Sequence, residues 1–494
     1  MPQLSVTQIF KYCPRQINLT GFPDSMILRE LEGTLGREVS YNHYCPQQYG
    51  KRIPRLVPSF PPQHTKARQR FFKNLPDSRI TKSFFDVIFP KTHWAGRSNE
   101  EFVEFCETVY RTTQRAREEL TGFGHLPEAQ AVLRRLDRFD GDLERSLRAL
   151  SEISAVNTFA VDKQTGMIVP IDKMPGKARD PCYRPKNRGG GIYELGKVQV
   201  KMRGAVLKAI KQATEGFRRR IINFVRTELE SPNDNIRENF ERLAAPIRLH
   251  YKYSRLVEKC REGETRSDWL PDDNIMPPLI TPSFGQDYNV QNLFPLSLTE
   301  TGGHEEYVPI NFGTKGERKV LIVGLHSGGK SFILKNLTLL SIIAQAGENV
   351  PANPGLTLPL YERISYYINP NNGRNNSGKL DTEVEDVTAI SNQAQEGDLQ
   401  VFDELLDSAD PGAATWLTPV ILRKLMRNPG TVLASTHRGV DCAALEKDGW
   451  TIMSPEHLIR DGKVVPAQKL KRGWPDEGIN RRYVSEKYGK LLED

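Results

Sequence analysis

The stretch Gly324-Leu325-His326-Ser327-Gly328-Gly329-Lys330-Ser331 constrains the fold more than any other feature of this 494-residue chain. It fits G-x-x-x-x-G-K-S, the P-loop pattern, and its flanks are the ones the pattern needs. The apolar run at 320–323 reads as a buried strand. After the loop, Ile333, Leu337, Leu340 and Ala344 fall on one face of a helix. Glycines at a strand-to-helix turn let backbone N–H groups face phosphate oxygens at the helix N-terminus. Lys330 then reaches the β- and γ-phosphates of a nucleoside triphosphate, and Ser331 ligates Mg²⁺.

Two further apolar runs follow. Leu399-Gln400-Val401-Phe402 ends in Asp403-Glu404, the Walker B arrangement. In that pattern Asp403 holds Mg²⁺ through water, and Glu404, just past the strand end, polarises an attacking water. Read alone, the segment is better taken as a strand with an ordinary acidic turn; the P-loop upstream reverses that preference. Residues 431–435 lead into Thr436-His437, and a histidine beyond a core strand can sense a γ-phosphate.

At about 150 residues per domain the length allows about three domains. Hydrophobic residues are 38% and charged residues 26% of the chain, a globular balance. The longest nearly apolar stretch, around 337–346, is too short to span a bilayer. Residues 1–13 lack the features of a signal peptide. Six scattered cysteines without Cys-x-x-Cys argue against a disulfide framework or zinc knuckle. The expectation is a reduced, cytoplasmic protein with no membrane association.

Net charge is +8, but the window 173–226 alone carries fifteen Lys/Arg against three acids, leaving −4 for the rest. Such a localised excess is either a solvated helix face or the footprint of a polyanion partner. Residues 1–62 are Pro- and Gly-rich without a sustained period, either a small irregular domain or an arm packed on its neighbour. From 63 to 277 the pattern is mostly helical. Phe105, Val109, Thr112, Ala116 and Leu120 recur at helical spacing. A long helix is expected over 198–229, with Lys201, Lys208, Lys211, Arg218, Arg219 and Arg220 largely off its apolar stripe. From 278 to 494 short β-rich runs alternate with helices, so the expected architecture is an α/β P-loop domain following a helical one.

These residues resemble the MutS family of ABC-class ATPases. Gly324–Ser331 is similar to the family's G-P-N-M-G-G-K-S, and Gly347-Glu348-Asn349-Val350-Pro351-Ala352 to its G-x-x-V-P-A. Glu362-Arg363-Ile364 resembles D-R-I. Gly373-Arg374, Ser377-Gly378 and Thr382-Glu383 resemble the loop and helix that read S-x-F-x-x-E. Asp403-Glu404-Leu405 with Asp410-Pro411 resembles D-E-L-G-x-G-T-D-P, and Ser435-Thr436-His437 resembles A-T-H. The tail from Asp461-Gly462-Lys463 to Gly473 resembles a family hairpin, and Ala67-Arg68-Gln69 with Phe72 resembles the start of the family's core and lever domain.

The resemblance covers about 307–489 well and finds no mismatch-reading domain, so it implies a short form. It implies ATP as cofactor with Mg²⁺ on Ser331 and Asp403, Glu404 and His437 as catalytic residues, and Tyr307 and Val308 stacked on adenine. Gly324, His326, Ser327, Gly328, Gly329, Lys330, Ser331 and Phe332 line the phosphates. It further implies a homodimeric clamp on double-stranded or branched DNA, with the basic window as the DNA surface. Two departures stand out. Phe332 replaces a hydroxyl residue, and Leu406-Asp407-Ser408-Ala409 replaces the G-x-G-T loop that meets the partner subunit's nucleotide, leaving Ser408 as its donor. These keep open a nucleotide-gated scaffold with negligible hydrolysis. Another ABC-class machine and a small-molecule P-loop kinase fit the motif order less well.

Overall fold

A computed structural model describes residues 6–10, 17–20, 60–75, 99–155, 159–161, 168–170, 192–195, 198–201, 225–230, 236–262, 277–297, 308–325, 328–368, 379–407, 409–460 and 463–476. It adds a few single positions near 84–87, 219–223 and 478–485. The chain divides into two compact units, Met1–Leu75 with Ala245–Asp494, and Pro76–Ala244. This differs from the boundaries at 62 and 277 that composition suggests, and the reason is the packing of residues 60–75 described below.

The first unit opens with α1 (Val6–Ile9), β1 (Ile17–Thr20) and α2 (Thr65–Lys73). The second contains α3 (Asn99–Thr121), α4 (Pro127–Ala155), the hairpins β2 (Phe159–Val161)/β3 (Ile168–Pro170) and β4 (Ile192–Leu195)/β5 (Val198–Lys201), and the start of α5 (Ile236–Glu262). Back in the first unit come β6 (Leu279–Ile280), β7 (Ser283–Phe284), β8 (Asn289–Leu293), β9 (Ile310–Gly313) and β10 (Lys319–Val323). Then follow α6 (Lys330–Gln345), β11 (Val350–Pro351), β12 (Thr357–Leu358), β13 (Arg363–Ile368), α7 (Lys379–Asn392) and β14 (Asp398–Asp403). The last elements are α8 (Pro411–Met426), β15 (Thr431–Thr436), α9 (Cys442–Lys447), β16 (Thr451–Arg460) and β17 (Lys463–Arg472).

Eleven strands make one mostly parallel sheet in the order β1-β13-β14-β15-β10-β16-β17-β9-β8-β12-β7. From β1 to β16 every neighbouring pair is parallel. Every residue of β10 and β14 is buried, as expected of parallel strands covered on both faces, and this is why they read as apolar runs. Ile333, Leu337, Leu340 and Ala344 of α6 are all fully buried, on the face their spacing predicts. The register pairs Val323 with Thr436 and Phe402 with Ala434, so the ends of β10, β14 and β15 lie side by side. Parallel α/β sheets present their ligand crevices at that edge. The N-terminal stretch contributes an arm: β1 extends the sheet beside β13, Ile17 opposite Ile364.

Arg68 explains why 60–75 belongs to this unit. It is fully buried, and its guanidinium donates to Gln345 O (2.7 Å), Ile9 O (2.6 Å) and Pro61 O (2.8 Å), with Phe60 beneath it at 5.0 Å. Gln345 ends α6, so the cation meets carbonyls that the helix leaves without intrahelical partners. Burial lowers the Arg68 pKa to about 9, so it stays charged at neutrality. The chain turns at Gly347, where φ is +95° and a Cβ would stand 2.6 Å from Arg68 Cβ. Glu348 Oε2 then accepts from His250 Nδ1 of α5 at 2.7 Å, and His250 stacks on Phe72 with ring centroids 4.6 Å apart.

In the second unit α3 and α4 carry buried Val109, Ala116 and Leu120 and buried Val132, Leu136 and Phe139. Cys106 and Thr113 are buried in place of the expected Phe105 and Thr112, which are half-buried, so the apolar stripe is rotated by one residue at its start. The long helix expected over 198–229 does not begin at 198. Val198–Lys201 is a strand, antiparallel to Ile192–Leu195, with Leu195 opposite Val198. The β-branched and aromatic residues of the two strands, Ile192, Tyr193, Val198 and Val200, outweigh the helical spacing there. Nearer its end, 226–230 forms one π-helical turn. Among the described residues no helix is long and apolar enough to cross a membrane.

Candidate functional site

The Gly324–Ser331 loop leaves β10 at the crowded side of β16. A Cβ on Gly324 would stand 2.9 Å from Pro455 Cδ, and one on Gly328 would stand 3.1 Å from Leu325 O. Gly329, which precedes α6, adopts φ +82°, a conformation that costs glycine nothing. The Lys330 side chain folds back under the loop, its ammonium donating to Gly324 O (3.0 Å) and Leu325 O (2.7 Å). Burial lowers its pKa, opposed by the carboxylates of Glu404, Asp403 and Asp407. Three acids therefore stand near enough to act on this one cation.

Asp403 ends β14 and is 1% exposed. Its carboxylate accepts three O–H bonds from three elements. Ser331 Oγ of α6 (3.0 Å) and Ser435 Oγ of β15 (2.6 Å) reach Oδ1, and the Tyr366 phenol of β13 (2.7 Å) reaches Oδ2. Burial, then the Asp403 charge, raise the Tyr366 pKa well above the usual range, so the phenol is a neutral donor. Ser435 also accepts from Glu404 N (2.9 Å), while its carbonyl takes Leu405 N. These bonds fix the turn after β14, where Glu404 has φ +55° and Leu406 φ +59°. Such backbone costs a side-chain-bearing residue about 1–3 kcal/mol. It is held here by Glu383 Oε1, buried and accepting Leu406 N at 2.6 Å, and by burial of the Leu406 side chain.

The following loop is tied down within its own subunit. Arg438 Nη2 donates to Asp407 O (2.9 Å) and Ala409 O (2.9 Å) and approaches Leu406 O at 3.4 Å. His437 Nε2 lies 3.3 Å from Asp407 Oδ1, and Arg438 lies 4.0 Å from it. The negative charge that Asp407 brings to this loop is thus met by His437 and Arg438, just past the end of β15. Asp410 caps α8 by accepting from Gly412 N and Ala413 N.

Lys330, Ser331, Asp403, Glu404 and His437 therefore meet at three neighbouring strand ends. Phe332 is half-buried on α6, and Val308 is half-buried just before β9. Tyr307, His326, Ser327 and Ser408 lie outside the described residues, as do Lys208, Lys211, Arg218 and Arg220. Arg219 is exposed, and Lys201 ends β5. Tyr366, Pro455 and Arg438 are site residues that sequence reasoning did not single out. A small polar residue such as Ser435 inside an otherwise apolar strand is the kind of signal that points to such a site. Gly373, Arg374, Ser377, Gly378, Asp461 and Gly462 also lie outside the described residues, while Thr382 and Glu383 lie on α7 and the tail is the antiparallel pair β16 and β17.

No family model matches the chain. Among curated proteins it is similar to "Endonuclease MutS2" of Alkaliphilus metalliredigens, 30% identical over 204 residues, which is 37% of this chain and 25% of that protein. The protein of the same name from Maridesulfovibrio salexigens is 30% identical over 145 residues, 29% of this chain and 18% of the relative. That of Aquifex aeolicus is 26% identical over 188 residues, 37% and 24%. The chain thus covers a quarter or less of the length of these relatives. Repeated matches to one kind of protein agree with the ordered set of motifs seated around the β10, β14 and β15 ends and support membership of the MutS family.

Proposed function

We propose that this is a DNA-binding protein that binds and hydrolyses ATP with Mg²⁺, acting in DNA repair or recombination. It is a homodimeric clamp in which ABC-class ATPase heads drive helical levers that contact double-stranded or branched DNA. The observation that carries the reading is the placement of buried Lys330 under a glycine loop beside the Ser331–Asp403–Ser435 group and Glu404. The residues present fit a phosphate chain: the loop's glycines stand where a Cβ would meet Pro455 or Leu325, and its lysine is the one buried cation beside them among the described residues. Bound ATP supplies the scissile phosphate, and Mg²⁺ the charge that offsets its oxygens.

Each residue then has a task. Lys330 pairs with the β- and γ-phosphates. Ser331 and Asp403 hold Mg²⁺, Asp403 through water. Glu404, turned out of the strand by its left-handed backbone, orients and deprotonates the attacking water. His437 senses the γ-phosphate, with Asp407 fixing its ring. Val308 with Tyr307 packs on the base. The nuclease activity in the relatives' name is not carried over to this chain.

A second reading, a nucleotide-gated scaffold with slow or negligible hydrolysis, is favoured by one observation. Arg438 and His437 engage the 406–409 loop in cis, so its polar groups are partly committed before any partner subunit arrives. ATPase assays with and without duplex DNA separate the two readings. Glu404→Gln should bind ATP like wild type but hydrolyse it about 100-fold or more slowly, since a positioned base contributes about 10²–10⁴. Loss of ATP affinity in this variant would overturn the role given to Glu404.

For DNA, the proposal places backbone contacts on Lys201, Lys208, Lys211, Arg218, Arg219 and Arg220. Affinity should fall with salt at a log–log slope of about −0.9 per phosphate contacted. Reversing Arg218, Arg219 and Arg220 to Glu should flatten that slope, weaken matched and mismatched duplexes alike, and leave ATP binding intact. A lower melting temperature with an unchanged slope would make the segment structural instead.

A further inference from the structure

Asp403 is tied from both sides, and the two sides differ. Oδ1 faces β15 and α6, where its donors are the hydroxyls of Ser435 and Ser331. Oδ2 faces β13, away from β10 in the strand order, and meets the phenol of Tyr366 at 2.7 Å. Tyr366 is fully buried on a strand whose register sets it opposite Val401, two residues before Asp403. Ser331 belongs to the first turn of α6 and so lies on the loop side of the carboxylate. A ligand arriving from the loop therefore meets Oδ1 and Ser331, and Tyr366 is screened from it by the carboxylate itself.

We propose that Tyr366 is a positioning residue for the Mg²⁺ site: its phenol holds Asp403 Oδ2 against β13, fixes the plane of the carboxylate and reserves Oδ1 for the cation or its water. The inference rests on the reading of Ser331 and Asp403 as the Mg²⁺ residues. Its physical basis is that an acidic side chain free to turn about its last torsion presents its lone pairs in many directions. One pinned by an outer hydrogen bond presents them in one, and losing such outer partners commonly costs 10–100-fold in metal affinity. The same bond draws electron density from the carboxylate, favouring a hydrated, exchangeable cation over a tightly chelated one. A purely structural role is the competing account. In that case the phenol does no more than satisfy a buried oxygen, and its loss lowers stability without touching the cation.

Tyr366→Phe removes a single oxygen and keeps the ring that packs in the sheet. ATP affinity is measured by calorimetry on the full chain in excess EDTA and then over a MgCl₂ titration, beside thermal melts. The expected result is unchanged ATP affinity in EDTA and a Mg²⁺ half-saturation about ten-fold or more higher than wild type, with ATP affinity recovering at high MgCl₂. A Mg²⁺ dependence equal to wild type, with or without a lower melting temperature, would overturn the positioning role while leaving the Mg²⁺ assignment standing. An equal loss of ATP affinity in EDTA and in MgCl₂ would also overturn it. If wild type itself bound ATP with no dependence on Mg²⁺, the underlying assignment of Ser331 and Asp403 would fail instead.

Discussion

Arg68→Met should cost the protein about 2–4 kcal/mol of stability, because it removes a charged donor whose hydrogen bonds are worth about 1.5–3 kcal/mol each before the cost of burying the cation is subtracted. The change takes the guanidinium from the carbonyls of Ile9, Pro61 and Gln345; Pro61 O keeps His64 N at 3.2 Å and Gln345 O the longer Thr65 hydroxyl contact at 3.4 Å, so Ile9 O is affected most. Each buried acceptor stripped in this way costs about 1–3 kcal/mol. Part of that is returned, because a cation held by neutral carbonyls, the Thr65 hydroxyl and the Phe60 ring no longer has to be desolvated. Against a total stability of about 5–15 kcal/mol the remaining loss is large. Urea denaturation followed by tryptophan fluorescence and circular dichroism measures it. A loss below about 1 kcal/mol would mean that water or a rearranged backbone replaces the guanidinium. Lys at the same position should rescue little, since one ammonium cannot reach three carbonyls arranged around a planar fork.

The second large effect is on ligand binding. Lys330→Ala should weaken ATP binding about 10- to 150-fold, since a charge-assisted bond to phosphate is worth about 1.5–3 kcal/mol. The ammonium also bonds Gly324 O and Leu325 O, so its removal frees the loop as well as the charge. Calorimetric titration with ATP decides the matter, and unchanged affinity would sink the phosphate site. A melting temperature near that of wild type is expected, because burial makes the uncomplexed lysine costly to keep charged.

Much of the central sheet was legible in the sequence. The strands expected at 319–323, 399–402 and 431–435 occur at Lys319–Val323, Asp398–Asp403 and Thr431–Thr436. Strands buried on both faces are predominantly apolar, and an apolar run bounded by Gly or Asp marks its own ends. The convergence of Lys330, Ser331, Asp403 and Glu404 was equally foreseeable, because parallel neighbours bring like ends together. Contacts set by strand order were not. Nothing near Tyr366 in the sequence says that β13 lies beside β14, and nothing near Ile17 says that β1 lies beside β13. The helical expectation at 198–201 failed because a four-residue strand in a hairpin is decided by its partner strand and turn. The left-handed Leu406 explains why a glycine suits this place in the family pattern, and its buried side chain shows how a leucine is tolerated.

Arg68 and β1 also bear on how this protein can be divided. The phosphate- and metal-binding residues of the candidate site all follow Val323, which invites expression of the C-terminal half alone. Such a fragment would lack the guanidinium at the end of α6 and the strand at the sheet's margin. The unit that contains the site is discontinuous, Met1–Leu75 with Ala245–Asp494, so Pro76–Ala244 is in topological terms an insertion between two parts of one fold. The modular cut is therefore internal. A chimera that exchanges residues 76–244 leaves the carbonyl cluster and the sheet edge whole, whereas a swap of everything before residue 278 breaks both.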